Sequence, residues 1–200
     1  MAARKQSKTY HHGDLREALV LAAIELLKEK GLASFTLREC ARRAGVSHAA
    51  PAHHFATAAD LLAEIAARGF ERFVAVLDEA ADETEGTAMA RLGAMGRAYV
   101  AFALANPAVY GLMFRGGANP LQSPRLKTAA TAAWQQLNNA VAAVLGPKRQ
   151  DEVTAKAAAV WALVHGTATL MLDCKLPPGP ARSSDPVAQI LSSLPGLLRP

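Results

Sequence analysis

From Leu15 onward apolar residues recur every three or four positions, and nowhere do apolar and polar residues alternate as in a half-buried strand. The first stripe, Leu15, Leu19, Ala22, Ala23, Leu26 and Leu27, predicts an amphipathic helix. Asp14 and Glu17 suit its start, and Lys28, Lys30 and Gly31 suit its end. A shorter stripe follows through Leu37, Cys40, Ala41 and Ala44, with Arg38, Arg42 and Arg43 mostly off it. Thr36 is a natural N-cap, and Glu39 three residues on completes a T-x-x-E capping box. Gly45 supplies the backbone freedom of a sharp turn, Val46 an apolar plug, and Ser47 a cap for a second short helix. That helix exposes His48, Ala49 and Ala50 first, and small residues there permit close approach to another surface. The pattern is that of a helix-turn-helix, whose second helix enters the major groove of DNA.

Thr57 with Asp60 opens a longer helix, with Leu61, Leu62, Ile65, Phe70, Phe73, Val74 and Leu77 as its apolar face. The chain turns acidic over 78–86 and ends there on Gly86, which places a domain boundary. Downstream, Asn106-Pro107, Asn119-Pro120, Ser123-Pro124 and Asp185-Pro186 each pair a capping residue with proline at the first helical position. With Gly146-Pro147 as a stop, the expected helices are 87–105, 107–115, 122–145, 150–174 and 186–193, and 176–184 is a loop. The expected fold class is all-α, an N-terminal three-helix helix-turn-helix DNA-binding domain followed by a C-terminal helical bundle. The expected division is a basic flexible arm (1–12), the helix-turn-helix domain (13–56), a connecting helix (57–80) and the helical domain (81–200).

Composition agrees with helices: 51% of residues are hydrophobic and only 6% aromatic. No apolar run approaches the roughly 20 residues that span a bilayer, and the basic start leads into no apolar signal region. The two cysteines, Cys40 and Cys174, lie in different segments, so a reducing cytoplasm is expected rather than a disulfide framework. Cys40 falls on an apolar face and reads as packing. Residues 1–56 hold nine Lys and Arg against five acids, and five of the six histidines. A basic end that also carries the helix-turn-helix suits a polyphosphate partner.

At this point a resemblance becomes specific. A-x-x-A-G-V-S in Ala41–Ser47, H-F in His54–Phe55 and T-x-x-D-L-L in Thr57–Leu62 resemble the DNA-binding domain of TetR-family regulators. W-x-x-x-H-G at Trp161–Gly166, with NPAVYGLMF at Asn106–Phe114, resembles the WHG-type C-terminal domain of part of that family. The resemblance implies a homodimeric repressor, released from a palindromic operator on double-stranded DNA by a small apolar or amphipathic effector. It places base contacts at His48, Ala49 and His53 and phosphate contacts at Thr36, Ser47 and His54, aided by Arg38 and by Lys5 and Lys8 of the arm. His54 has an equal second reading, locking the reading helix onto the core. Two usual phosphate anchors are missing: Pro51-Ala52 replaces Leu-Tyr, and Ala58 replaces the lysine opening the next helix.

In the second domain Met95, Tyr99, Phe102, Tyr110, Met113, Phe114, Trp134, Trp161, His165 and Met171 read as the walls of an apolar cavity, against simple bundle packing. Tyr110, His165 and Thr169 are its polar handles. The helices 122–145 and 150–174 are expected to form a four-helix dimer interface. The pairs His11-His12 and His53-His54 make a poor metal site, because adjacent helical residues point about 100° apart. No nucleophile–base set, phosphate loop or paired carboxylates accompany His165, so neither an enzyme nor a cofactor is expected. An architectural DNA-binding protein without ligand control is the alternative.

Overall fold

The computed structural model describes residues 12–114, 123–176 and 186–199, and every regular element among them is helical. Helix α1 (His12–Lys30) buries Leu19, Val20, Ala23 and Leu26. It starts two residues before Asp14, which therefore sits in the first turn and not at the cap; cap signals fix a helix end only to within a residue or two. Helix α2 (Leu37–Arg43) begins as expected, with Thr36 Oγ1 accepting from the Glu39 amide at 3.2 Å. The return half of the capping box is absent. Glu39 instead takes Lys30 at 3.0 Å and Arg42 at 2.9 and 2.8 Å, and charge-assisted bonds outcompete one to a backbone amide.

The turn after α2 is a Schellman closure. The Val46 amide donates to Ala41 at 3.0 Å and the Gly45 amide to Arg42 at 3.2 Å, with Gly45 at φ 71°. No atom crowds a Cβ built there, so only the left-handed backbone resists a side chain. Gly45→Ala is accordingly expected to lower stability by roughly 1–2 kcal/mol, read in urea unfolding; an unchanged midpoint would show the turn relaxing freely.

The second helix of the motif is where sequence and structure part. After a turn at His48–Ala49 the chain forms a 3-10 helix, Ala50–His53, and not an α-helix. Its bonds run three residues back: Ala50 to Ser47 at 3.1 Å, Ala52 to Ala49 at 3.2 Å, His54 to Pro51 at 2.9 Å. Pro51 is the cause, since it has no amide to reach Ser47 and its ring crowds the preceding turn. The expected Ser47 side-chain cap is also absent; the element starts from Ala49 with no side-chain cap.

Helix α3 (Ala58–Asp82) opens with the Thr57–Asp60 capping box fully formed, at 3.2 and 2.8 Å. It is the spine of the molecule. Residues Leu61 to Ala67 are buried on every side, and two cores meet along it. The first joins Leu61, Leu62, Ile65 and Phe70 to α1, Cys40 and Phe55, and is roofed by Leu112, Leu126 and Ala129. The second joins Phe73 and Leu77 to α4 (Ala88–Ala105), α7 (Val153–Leu172), α8 (Pro186–Leu191) and α9 (Leu194–Leu197). Leu112 and Leu126 belong to α5 (Pro107–Phe114) and α6 (Pro124–Leu145), so the first core draws on both halves of the chain.

Ser123 caps α6 as expected, accepting from the Leu126 amide at 3.3 Å. Asn106 acts differently, donating its side-chain amide back to Phe102 at 3.0 Å and so closing α4. The Asn119-Pro120 pair, Asp185 and all but Leu176 of the 176–184 loop lie outside the described residues. One correction concerns apolar length. Within the helical stretch Pro147–Leu172 an 18-residue window has mean hydropathy 1.3, which is long and apolar enough to cross a bilayer by length and composition. Its apolar side packs instead against α4 and α6, and Trp161 and Leu170 stay exposed.

Candidate nucleic-acid interface and apolar cavity

The motif's polar surface gathers on one end. Thr36, Arg38, Ser47, His48, Ala49, Ala52 and His53 are exposed, whereas Pro51 and Phe55 are buried beneath them. His54 is half-buried. The Arg16 guanidinium lies 5.1 Å from the Phe55 ring centroid and fastens the end of the reading element to α1. Lys5 and Lys8 lie outside the described residues.

The cations of this end are not equally available. Arg42 and Lys30 pair with Glu39, and Arg43 with Glu29. The hydrogen bond from Arg42, then that from Lys30, holds the Glu39 carboxyl down at about 2. Arg38, by contrast, is exposed and makes no ion pair among the described residues. The basic surface is therefore thinner than composition implies. Cys40 is fully buried and donates its thiol to the Leu19 carbonyl at 3.2 Å. Burial pushes that thiol up to about 11, so it is unreactive at neutral pH.

Glu64, on α3, was no candidate from sequence. It is 7% exposed, and its Oε1 receives Arg16 of α1 at 2.8 Å, Arg68 at 2.8 Å and Arg125 of α6 at 2.6 Å. Arg68 also holds Glu17, and Arg125 grips Glu71 at 2.9 and 2.8 Å. Burial alone would raise the Glu64 carboxyl, but the bonds from Arg16 and Arg68 and the nearby charges bring it to about 2. Only the i,i+4 pair Glu64–Arg68 was readable from spacing; α1 and α6 arrive from far along the chain.

A cavity of ≈ 330 Å³ lies between α3, α4, α6 and α7. Five of the ten predicted residues line it: Met95, Tyr99, Phe114, Trp134 and Trp161. The other five do not. Phe102 packs behind the wall, its ring centroid 5.3 Å from that of Phe73. Met113 fills the space over Gly69, and Met171 packs on the second core. Tyr110 and His165 stand one layer back, where Nδ1 of His165 meets the Tyr110 hydroxyl at 2.8 Å and the Tyr99 hydroxyl at 2.9 Å. The two hydroxyls are 3.3 Å apart, and burial pushes the Tyr99 phenol far above its ordinary range. Thr169 is not on the wall either. Sequence reading missed Phe70, Phe73 and Leu77 of α3 and Leu137, Val160 and Val164, which it took for packing or left unassigned. Their apolar periodicity marked them as inward-facing, which a core and a cavity share. A more polar hollow, with Asp78, Asp82, Arg91 and Gln136, meets the cavity at Leu92 and Met95.

The comparisons with known proteins bear on both regions. The family described as "Bacterial regulatory proteins, tetR family" matches residues 19–65, and "Tetracyclin repressor-like, C-terminal domain" matches residues 92–193. A protein of unknown function from Rhodococcus sp. RHA1 is 33% identical, with a TM-score of 0.79 over 96% of this chain and 98% of that one. The TetR-family regulator PfmR from Thermus thermophilus shares the fold at 21% identity and TM-score 0.63, over 90% and 97% of the two chains. So does the fatty acid degradation regulator FadR from Bacillus halodurans, at 14% identity and TM-score 0.68, over 98% and 96%. No curated protein matches the chain. The first family match spans the exposed helix-turn-helix, and the second spans α4, α7 and the W-x-x-x-H-G segment. The chain belongs to the TetR family of DNA-binding transcriptional regulators.

Proposed function

We propose that the protein is a homodimeric repressor, released from a palindromic operator when a small apolar or amphipathic ligand occupies the cavity. One observation carries this reading: α3 both walls the cavity and packs under the reading head. Phe70, Phe73 and Leu77 face the cavity, while Leu61 and Leu62 on the same helix pack in the core of α1 and α2. A ligand that shifts α3 therefore moves the head, a coupling between two distinct sites. Residues 1–12 serve as the arm, 13–56 as the head, 57–80 as the connector and 81–200 as the effector and dimer domain. In this reading no catalysis, cofactor or metal is involved, and the protein works in the cytoplasm, where the chromosome is.

His48, Ala49 and His53 face base edges, while Thr36, Ser47 and Arg38 face phosphates. The Thr36 hydroxyl caps α2 with a lone pair and so keeps its hydrogen for a phosphate oxygen. Half-burial suits His54 better to locking the reading element than to touching DNA. Pairing runs through α6 and α7, whose exposed Trp134 and Trp161, ring centroids 6.2 Å apart, form an apolar surface that a second copy would cover. An architectural DNA binder would have no use for an apolar cavity beside its connector helix.

Selection of bound sequences from a random DNA pool tests the reading. A palindrome with two half-sites about one helical turn apart is expected; a set without two-fold symmetry would overturn it. Within the selected site, His48→Ala is expected to relax preference at one position per half-site, at a cost of about 1–3 kcal/mol there. Arg38→Ala is expected to weaken all sequences alike and to flatten the log–log salt slope by about 0.9 for each phosphate no longer neutralised. Equal effects of both substitutions on operator and random DNA would place the reading face elsewhere.

A further inference from the structure

We propose that the effector is an uncharged aromatic molecule bearing a hydroxyl or carbonyl oxygen, with its rings among the aromatic side chains of the cavity and its oxygen on the Tyr99 hydroxyl. The proposal rests on the cavity being the effector site. Charge is decided first. No Lys, Arg, Asp, Glu or His is among the described residues of the wall, so an ionic group would leave water with no opposite charge from them to meet it. An aromatic cage can hold a cation, but no carboxylate is among the described wall residues to complete such a site.

Shape comes next. Six aromatic side chains are among the described residues of the wall, those of Phe70, Phe73, Tyr99, Phe114, Trp134 and Trp161. Phe73 meets Tyr99 edge to face at 5.0 Å, and Trp134 meets Trp161 likewise at 6.2 Å. Rings so disposed offer both edges and faces, which another aromatic system complements and an alkyl chain does not. At ≈ 330 Å³ the cavity sits near the low end of pockets for drug-sized ligands, roughly 300–1,000 Å³.

The polar handle follows from hydrogen-bond counting. Among the described residues of the wall, Tyr99 carries the only hydroxyl. Nδ1 of His165 has one lone pair or one hydrogen to offer, yet both phenol oxygens lie within 2.9 Å of it. It serves one of them well at a time. The Trp161 side chain also bonds the Tyr99 hydroxyl, but only as a donor, so with Tyr110 on Nδ1 the Tyr99 hydrogen has the Tyr110 oxygen at 3.3 Å, a long bond between hydroxyls. An oxygen of the ligand gives Tyr99 a better partner while Tyr110 keeps the imidazole.

The test uses one scaffold with four end groups: biphenyl, 4-hydroxybiphenyl, biphenyl-4-carboxylate and 4-(trimethylammonio)biphenyl. The chain's two tryptophans both stand on the cavity wall, so quenching of their emission reports occupancy, with calorimetry as the check. The phenol is expected to bind the full-length protein about tenfold tighter than biphenyl, and Tyr99→Phe to erase that difference. Unchanged biphenyl affinity in the variant shows that its cavity is intact. Tighter binding of the carboxylate or the ammonium would overturn the ligand class and leave the cavity as effector site. A phenol no better than biphenyl, or still better in Tyr99→Phe, would overturn the role of Tyr99. Binding of none of the four would overturn the effector cavity itself.

Discussion

Glu64→Ala is expected to cost about 3 kcal/mol of folding stability, near the lower end of roughly 3–5 kcal/mol for breaking a buried ion pair. The carboxylate is buried, but the side chains of Arg16, Arg68 and Arg125 are 38%, 31% and 46% exposed, so water relieves part of the loss. The pH dependence gives a second reading. The folded carboxyl lies at about 2 against an ordinary 4.5, so its contribution is complete above pH 4.5 and is lost as pH falls toward 2. A shift of that size corresponds to roughly 3 kcal/mol, the same size as the loss expected from the substitution. Glu64→Gln should therefore flatten the acid limb of stability against pH, measured by urea unfolding between pH 2 and 6. An unaltered limb would show that other carboxylates carry it. Because the three arginines come from α1, α3 and α6, the loss also loosens α1 from the helices that surround the cavity.

The second large effect is expected at Phe73. Its ring, 4% exposed, stands edge to face with Tyr99 and Phe102 at centroid distances of 5.0 and 5.3 Å. Phe73→Ala removes these two ring pairs and a third to Phe114 at 6.3 Å, and opens the second core into the existing cavity, so α3, α4 and α7 cannot close over the gap. The expected loss is about 3–5 kcal/mol, seen as a lower urea midpoint with little change in slope. Trp134→Ala is the control. That side chain also lines the cavity but is 37% exposed, and its truncation is expected to cost far less. Equal losses at the two positions would mean that the cavity is no boundary between core and surface.

How much of this was legible in the sequence depends on the range of the interaction involved. Local chemistry was. The Thr57–Asp60 box, the Ser123-Pro124 start, the Gly45 turn and the 3.6-residue stripes all act within a few residues of themselves, so their spacing alone identifies them. Pro51 was legible as a missing amide; its consequence, a reading element wound as a 3-10 helix, depended on how the backbone bonds regroup around it. Periodicity also showed which residues turn inward, but not what they meet there. Phe70 and Phe73 wall a cavity while Tyr110 and Met113 pack behind it, and the same apolar spacing describes both pairs. Glu39 went to Lys30 and Arg42 instead of closing its box: Arg42 stands three residues on along α2, and only Lys30 was settled by where α1 ends.

The amino-acid sequence by itself determined the helices, most of their ends, the helix-turn-helix and the family, since these rest on contacts between near neighbours and on a characteristic spacing. Only the tertiary structure decided that α3 is a spine shared by two cores, that Glu64 gathers arginines from three helices, and which aromatic rings surround a void. Those features join residues 48 and 61 positions apart, and no short-range pattern encodes a meeting of that kind.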